Sequence, residues 1–169
     1  MATSLYDVTV PVFTLALKNL DKQLDKAIAF AEKKKVDSAV LGGARLIIDM
    51  LPLTAQVQIA CDNAKGGVAR LAGVESPKHE DNEKTLQELK ARVAKTLEFI
   101  GTVKREQFAG AETREVVLKF PGMTLNFNGM DYATKFLLPN FYFHATTAYA
   151  ILRKNGVELG KGDFLGNIQ

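Results

Sequence analysis

The chain has 169 residues, 47% of them hydrophobic and 24% charged, with a net charge of +3; that is the profile of a single globular domain able to bury its own core. The lysines and arginines are spread along it, so no basic stripe with interleaved aromatics marks a nucleic-acid surface. No apolar run approaches the length of a membrane span, and the single cysteine, Cys61, excludes an intrachain disulfide.

The N-terminal segment MATSLYDVTVPVF has no basic stretch followed by an apolar one, so no signal peptide is expected and the cytoplasm is the default location. Leu15, Leu20, Leu24, Ala27, Ile28 and Ala31 recur at helical spacing and predict a first helix from about Pro11 to Lys35. Its end carries the densest basic run, AEKKKV, where cations complement the helix dipole. A turn at 38–43 precedes a second helical pattern from about Leu46 to Leu71. Pro52 should kink that helix or mark its true start, and Gly73 stops it. The polar run VESPKHEDNEK then reads as a long crossover. Leu86, Leu89, Val93, Leu97 and Ile100 give a third helix from about Glu83 to Val103.

At REVVLKF-PGM-TLNFNG the period changes from helical to alternating. Val116, Leu118 and Phe120 face one side, Leu125 and Phe127 return, and Pro121-Gly122 supplies the turn, so a β-hairpin is predicted at about 114–128. A fourth helix follows from Asp131 to Lys154 and ends at Asn155-Gly156. The glycine-rich tail contains GKGD, which lacks the spacing of a phosphate loop. The fold class expected is all-α: a four-helix bundle with one long crossover and a small hairpin between the third and fourth helices.

Turning each residue by 100° along the fourth helix puts Leu137, Phe141, Ala145, Ala148, Ile151 and Leu152 on one apolar arc. Asn140 and His144 fall on its flank with Thr147, neither on the solvent face nor at the core centre. On the second helix Asp49, Gln56 and Asn63 repeat every seven residues beside the apolar arc, and Arg45 can pair with Asp49. Gln58, Asp62 and Lys65 form a separate polar face, read as solvated. If the two helices face each other, Asp49 or Gln56 meets Asn140 and His144 across a shallow pocket, which is how bundles build sites from facing side chains. His144 is then a hydrogen-bonded structural histidine, a ligand contact or a metal ligand, and the residues alone leave these open.

Familiar catalytic signatures are missing. No H-x-x-x-H, H-E-x-x-H, C-x-x-C, nucleophile elbow or dinucleotide fingerprint occurs. His79 lies in the polar crossover and is expected to be exposed, and Cys61 reads as a small core hydrophobe. Tyr142 and Tyr149, with Leu138 and Ala145, make a second apolar stripe on the fourth helix. Either the hairpin and tail cover it or a second protomer does, so a homodimer is expected as the simplest partner.

The segments SLYDVTVPVF, DMLPLTAQVQIACDNAKGGVARLAGVE, LPNFYFHATTAYAILRKNGV and LGKGDFLG resemble the domain-of-unknown-function family DUF1993, over nearly the whole chain. That family looks like a branch of the DinB-like (YfiT-like) metalloenzymes. The resemblance implies an up-down-down-up four-helix bundle with a long second crossover, usually dimeric. It also implies a metal site of three histidines, one on the second helix and two on the fourth as H-x-x-x-H, shortly before a segment like LRxNGV. In this chain LRKNGV spans 152–157; the later histidine of the pair matches His144, the earlier falls on Asn140, and the second-helix histidine falls near Gln56. Neutral amides are weak ligands for zinc or nickel. The expectation is therefore a small-molecule pocket near His144, Asn140, Gln56 and Asp49, with a degenerate metal site, no metal and no cofactor. The alternatives are a metal-dependent hydrolase or transferase of the DinB-like type, and a non-catalytic dimeric interaction protein.

Overall fold

A computed structural model describes residues 4–166. The first three and last three residues, which begin the N-terminal segment and end the glycine-rich tail, lie outside that range. The elements are α1 (Leu5–Lys34), α2 (Ser38–Gly42), α3 (Leu53–Ala72), α4 (Leu86–Thr102), β1 (Glu115–Phe120), β2 (Met123–Asn128), α5 (Gly129–Asp131), α6 (Leu138–Lys154) and α7 (Lys161–Leu165). A π-helical segment, Tyr132–Leu137, joins α5 to α6 without a break.

Local chemistry sets the helix starts. α1 begins six residues before Pro11 because Ser4 and Asp7 close its first turn; Asp7 Oδ2 accepts from the Ser4 amide at 3.0 Å. Pro11 lies exposed inside the helix rather than opening it. Pro52 is the N-cap of α3, so the second helix starts at Leu53, not at Leu46. Thr85 caps α4: its Oγ1 accepts from Glu88 N–H at 3.2 Å, while Glu88 Oε2 accepts from Thr85 N–H at 2.8 Å.

Pairs across the helices fix the topology. Lys90 of α4 meets Asp21 and Asp25 of α1, and Arg105 just past α4 meets Asp7, so α1 and α4 are antiparallel. The crossover after α3 runs back along that helix: Lys65 Nζ donates to Pro77 O at 2.7 Å, and Gln58 Nε2 to Glu83 Oε2 at 2.8 Å. α4 thus starts beside the start of α3 and runs parallel to it. α6 returns antiparallel, with Gln56 opposite His144 and Gly67 opposite Leu137. The arrangement is the up-down-down-up bundle.

The core lies between these four long helices. Phe13, Leu17, Leu24, Val57, Val68, Leu89, Ile100, Phe141 and Ile151 are fully buried, and the rings of Phe13 and Phe141 stand 4.7 Å apart. The hairpin pairs Val116 with Phe127 and Leu118 with Leu125. Val116 and Leu118 are buried, whereas Phe120 at the tip is exposed. The tail forms α7, an element absent from the sequence reading, which docks on α1: Asn19 donates to Phe164 O and Gln23 to Asp163 O, both at 3.1 Å. α7 also covers part of the second apolar stripe, since Tyr149 packs edge-on against Phe164, while Tyr142 stays exposed.

Candidate functional site

The seam between α3 and α6 is tight at one end. A Cβ on Gly67 would lie 2.4 Å from Leu137 Cδ1, so the missing side chain is what lets Leu137 seat against α3. Along the same seam the two helices exchange two polar rungs. Gln56 Oε1 and His144 Nδ1 are 2.7 Å apart, and Asn140 Nδ2 donates to Asn63 Oδ1 at 3.0 Å.

The first rung fixes the state of the imidazole. Gln56 is buried, and its Nε2 donates to Leu51 O at 3.1 Å, which orients the amide so that Oε1 faces the ring. An amide oxygen only accepts, so Nδ1 carries the proton and Nε2 is left as an acceptor. His144 is half-buried, and desolvation holds its pKa below the ordinary value. The edge of the ring meets Phe143 at 5.2 Å. Thr147, beside it on the helix, is satisfied by its own turn through a 2.7 Å bond to Phe143 O.

The structure brings Gln56 and His144 together and sets Asn140 one turn away against Asn63. Asp49 is elsewhere. The seven-residue spacing that aligned Asp49 with Gln56 assumed a helix through Pro52; the chain instead makes an exposed turn at 45–51, and Asp49 sits in it. Arg45 does not pair with Asp49 but donates to Met50 O. The turn is anchored by Lys154 Nζ, which donates to Leu46 O at 2.7 Å, and it exposes Ile47, Ile48 and Leu51.

The Asn63–Asn140 rung lines a cleft of about 270 Å³ between α3, the π-helical segment and the hairpin. Asp62, Arg70, Tyr132 and Phe136 share its wall with Leu118 and Phe120. None of Arg70, Tyr132 or the hairpin residues entered the sequence-based site, because only the fold brings the hairpin back over α3. The π-helical turn, a feature often found at functional sites, had no sequence signal.

Gln56, Asn140 and His144, the positions that the resemblance sets against metal-binding histidines, do not fit a transition metal. Gln56 uses its oxygen on His144 and its nitrogen on Leu51, and Asn140 is turned to Asn63. Only His144 Nε2 remains as a nitrogen ligand, and neutral amides do not replace imidazoles for zinc or nickel. Among the described residues no group of three His, Cys, Asp or Glu side chains could hold a metal ion.

Of the face read as solvated, Gln58 and Lys65 are covered by the crossover, whereas the Asp62 side chain stays 41% exposed. Arg92 of α4 is 2% exposed and contacts Asp62 at 2.9 Å, Asp81 at 2.8 Å and Glu83 at 3.1 Å. Lys65 is buried against Asp62, and Gln58 against Glu83, under the crossover. His79 is half-buried rather than exposed, and its Nδ1 has no partner among the described residues. Burial, then the nearby Lys65 and Arg92, hold its pKa down. Cys61 is fully buried, and desolvation pushes its thiol up to about 12. It is a core residue, not a nucleophile.

The model of the domain of unknown function DUF1993 matches residues 5–165. A solved structure of a DinB family member protein from Shewanella denitrificans is 50% identical, covers 97% of this chain and 93% of its own, and superposes with a TM-score of 0.88. Among curated proteins none matches. The bundle, its hairpin and these similarities agree, and the chain belongs to the DUF1993 family with a DinB-like fold.

Proposed function

We propose that this protein binds a small polar or amphipathic molecule at the α3–α6 seam, with Gln56 and His144 at one end and Asn63 and Asn140 at the other. The metal of the three-histidine DinB-like pattern is replaced here by hydrogen-bonded amides. The observation that carries this reading is the 2.7 Å contact between Gln56 Oε1 and His144 Nδ1. It occupies the residue that would be the second-helix ligand and presents a neutral imidazole whose free Nε2 can accept a hydrogen bond from a ligand. The cleft of about 270 Å³ beside Asn63 and Asn140 supports a small ligand.

A metabolite screen by thermal shift tests the reading, because any ligand bound only by the folded state raises the melting temperature. At least one polar metabolite should raise it in the wild type, and the rise should shrink in His144→Ala and Asn140→Ala. A hit whose shift is unchanged in both variants would place binding elsewhere.

A homodimer is a second, compatible reading. Leu15, Tyr142 and Leu165 stay exposed around a shallow groove of about 220 Å³ between α1, α6 and α7. A second protomer would cover this strip, which sedimentation at several concentrations reads directly. No helix among the described residues is long and apolar enough to cross a membrane. The lone buried cysteine suits a reducing compartment and supports a cytoplasmic location.

A further inference from the structure

Arg70 sits in the last turn of α3, where a cation would ordinarily serve the helix's final carbonyls. It does not do so here. Arg114 takes that role, donating to Leu71 O. Arg70 instead folds back along the helix over Gly66, so closely that a Cβ on Gly66 would lie 2.7 Å from Nη1. Its one side-chain hydrogen bond among the described residues is a donation to the Tyr132 hydroxyl oxygen at 3.4 Å. No carboxylate pairs with it among the described residues. The other charge in the cleft wall, Asp62, contacts Lys65 at 3.1 Å and Arg92 at 2.9 Å, the latter shared with Asp81 and Glu83. Arg70, exposed at the cleft, is thus the one charged side chain of this wall without an oppositely charged partner among the described residues.

Two further donors line the same cleft. Tyr132 is 1% exposed, and because its oxygen accepts from Arg70, its hydroxyl hydrogen is free to donate. Asn63 Nδ2 is buried without an acceptor among the described residues. Buried donors are normally paired, so the unpartnered Asn63 Nδ2, with the Tyr132 hydroxyl hydrogen in the same wall, calls for an occupant with acceptor oxygens. The rest of the wall is aromatic. Tyr132 and Phe136 stack at 6.0 Å with an interplanar angle of 19°, and Phe120 reaches over from the hairpin tip.

The geometry points to an aryl-carboxylate site: Arg70 and Tyr132 receive the carboxylate of a small monoanion, and Phe136 and Phe120 hold its ring. One guanidinium matches one negative charge and offers paired N–H groups to a planar carboxylate. A phosphate dianion would leave charge unbalanced. A volume of about 270 Å³ suits a one- or two-ring molecule. This inference rests on the proposed ligand role of the seam at its Asn63–Asn140 end only.

Calorimetric titration with phenylacetate tests it, with phenylacetamide and phenyl phosphate as neutral and dianionic controls. Phenylacetate should bind, and removing either the charge of the ligand or the guanidinium (Arg70→Ala) should weaken binding roughly ten- to a hundred-fold, the range for losing a charged hydrogen bond. Gly66→Ala favours helix intrinsically but displaces Arg70, so it should keep the fold and lose affinity. Equal binding of acid and amide, unaltered binding by Arg70→Ala, or no binding of phenylacetate overturns the assignment. So does tighter binding of phenyl phosphate. If Arg70→Ala abolishes phenylacetate binding and His144→Ala leaves it intact, this site stands whatever becomes of the imidazole. If His144→Ala loses a metabolite shift while phenylacetate never binds, this inference alone falls.

Discussion

Gln56 Oε1 accepts from His144 Nδ1 across 2.7 Å, and that contact decides which nitrogen of the ring is free. The bond joins helices 88 residues apart in sequence, so it also ties α3 to α6. Replacing Gln56 with Ala leaves the Nδ1 proton without its partner in a half-buried place. The expected loss is about 1–3 kcal/mol in chemical denaturation. Gln56→Glu should instead raise the pKa of His144, since a carboxylate favours the imidazolium, and titration of the His144 ring by NMR reads that shift.

The pH dependence of stability follows from the same residue. Desolvation lowers the folded-state pKa of His144 below its ordinary 6.5, so the unfolded chain takes up protons first as the pH falls. Stability should be full above about 6.5, decline as the pH drops through that value, and level off below the folded-state pKa. His79 is shifted in the same direction. Denaturation of His144→Ala and His79→Ala at several pH values therefore separates the two contributions, each variant flattening part of the slope.

Arg92 holds the crossover to the bundle through Asp81 and Glu83, donates to Glu80 O at 3.0 Å, and pairs with Asp62 of α3 at 2.9 Å. Arg92→Leu removes the one guanidinium these groups share. Glu83 is left enclosed, and the variant should lose about 3 kcal/mol, the scale for breaking a buried ion pair. Hydrogen exchange should rise first in residues 74–85, because their anchors to α4 are gone.

Cys61 should be silent in the native state. Its thiol is fully buried and pushed up to about 12, so there is almost no thiolate at neutral pH. A thiol-specific reagent should label it only at the rate of global unfolding, and adding denaturant should accelerate labelling in step with loss of helical circular dichroism. Rapid labelling of the folded protein would contradict the core assignment.

Periodicity carried the helices because burial is local along a helix. Every residue placed on the apolar arc of the fourth helix, from Leu137 to Leu152, is buried, and Lys135, Tyr142, Thr146 and Arg153 opposite them are exposed. The same logic put Asn140 and His144 on the flank, where they lie half-buried. It failed at Asp49 because a seven-residue repeat was carried across Pro52, and a proline cap ends such a repeat. It failed at Gln58 and Lys65 because their cover is the crossover loop, a long-range partner that no window of sequence contains. The cleft at Arg70 was invisible for the same reason, since its walls come from α3, the hairpin and a π-helical turn.

The central claim is that the seam carries a neutral imidazole bonded to an amide in place of a metal centre. Zinc titration of tag-free protein, followed by 15N NMR of the His144 ring, tests it most directly. The expected result is a protonated Nδ1, an unprotonated Nε2 that does not shift at micromolar zinc, and zinc binding only after Gln56→His and Asn140→His are introduced together. Stoichiometric zinc on the wild type, with His144 Nε2 bonded to the ion, would contradict it.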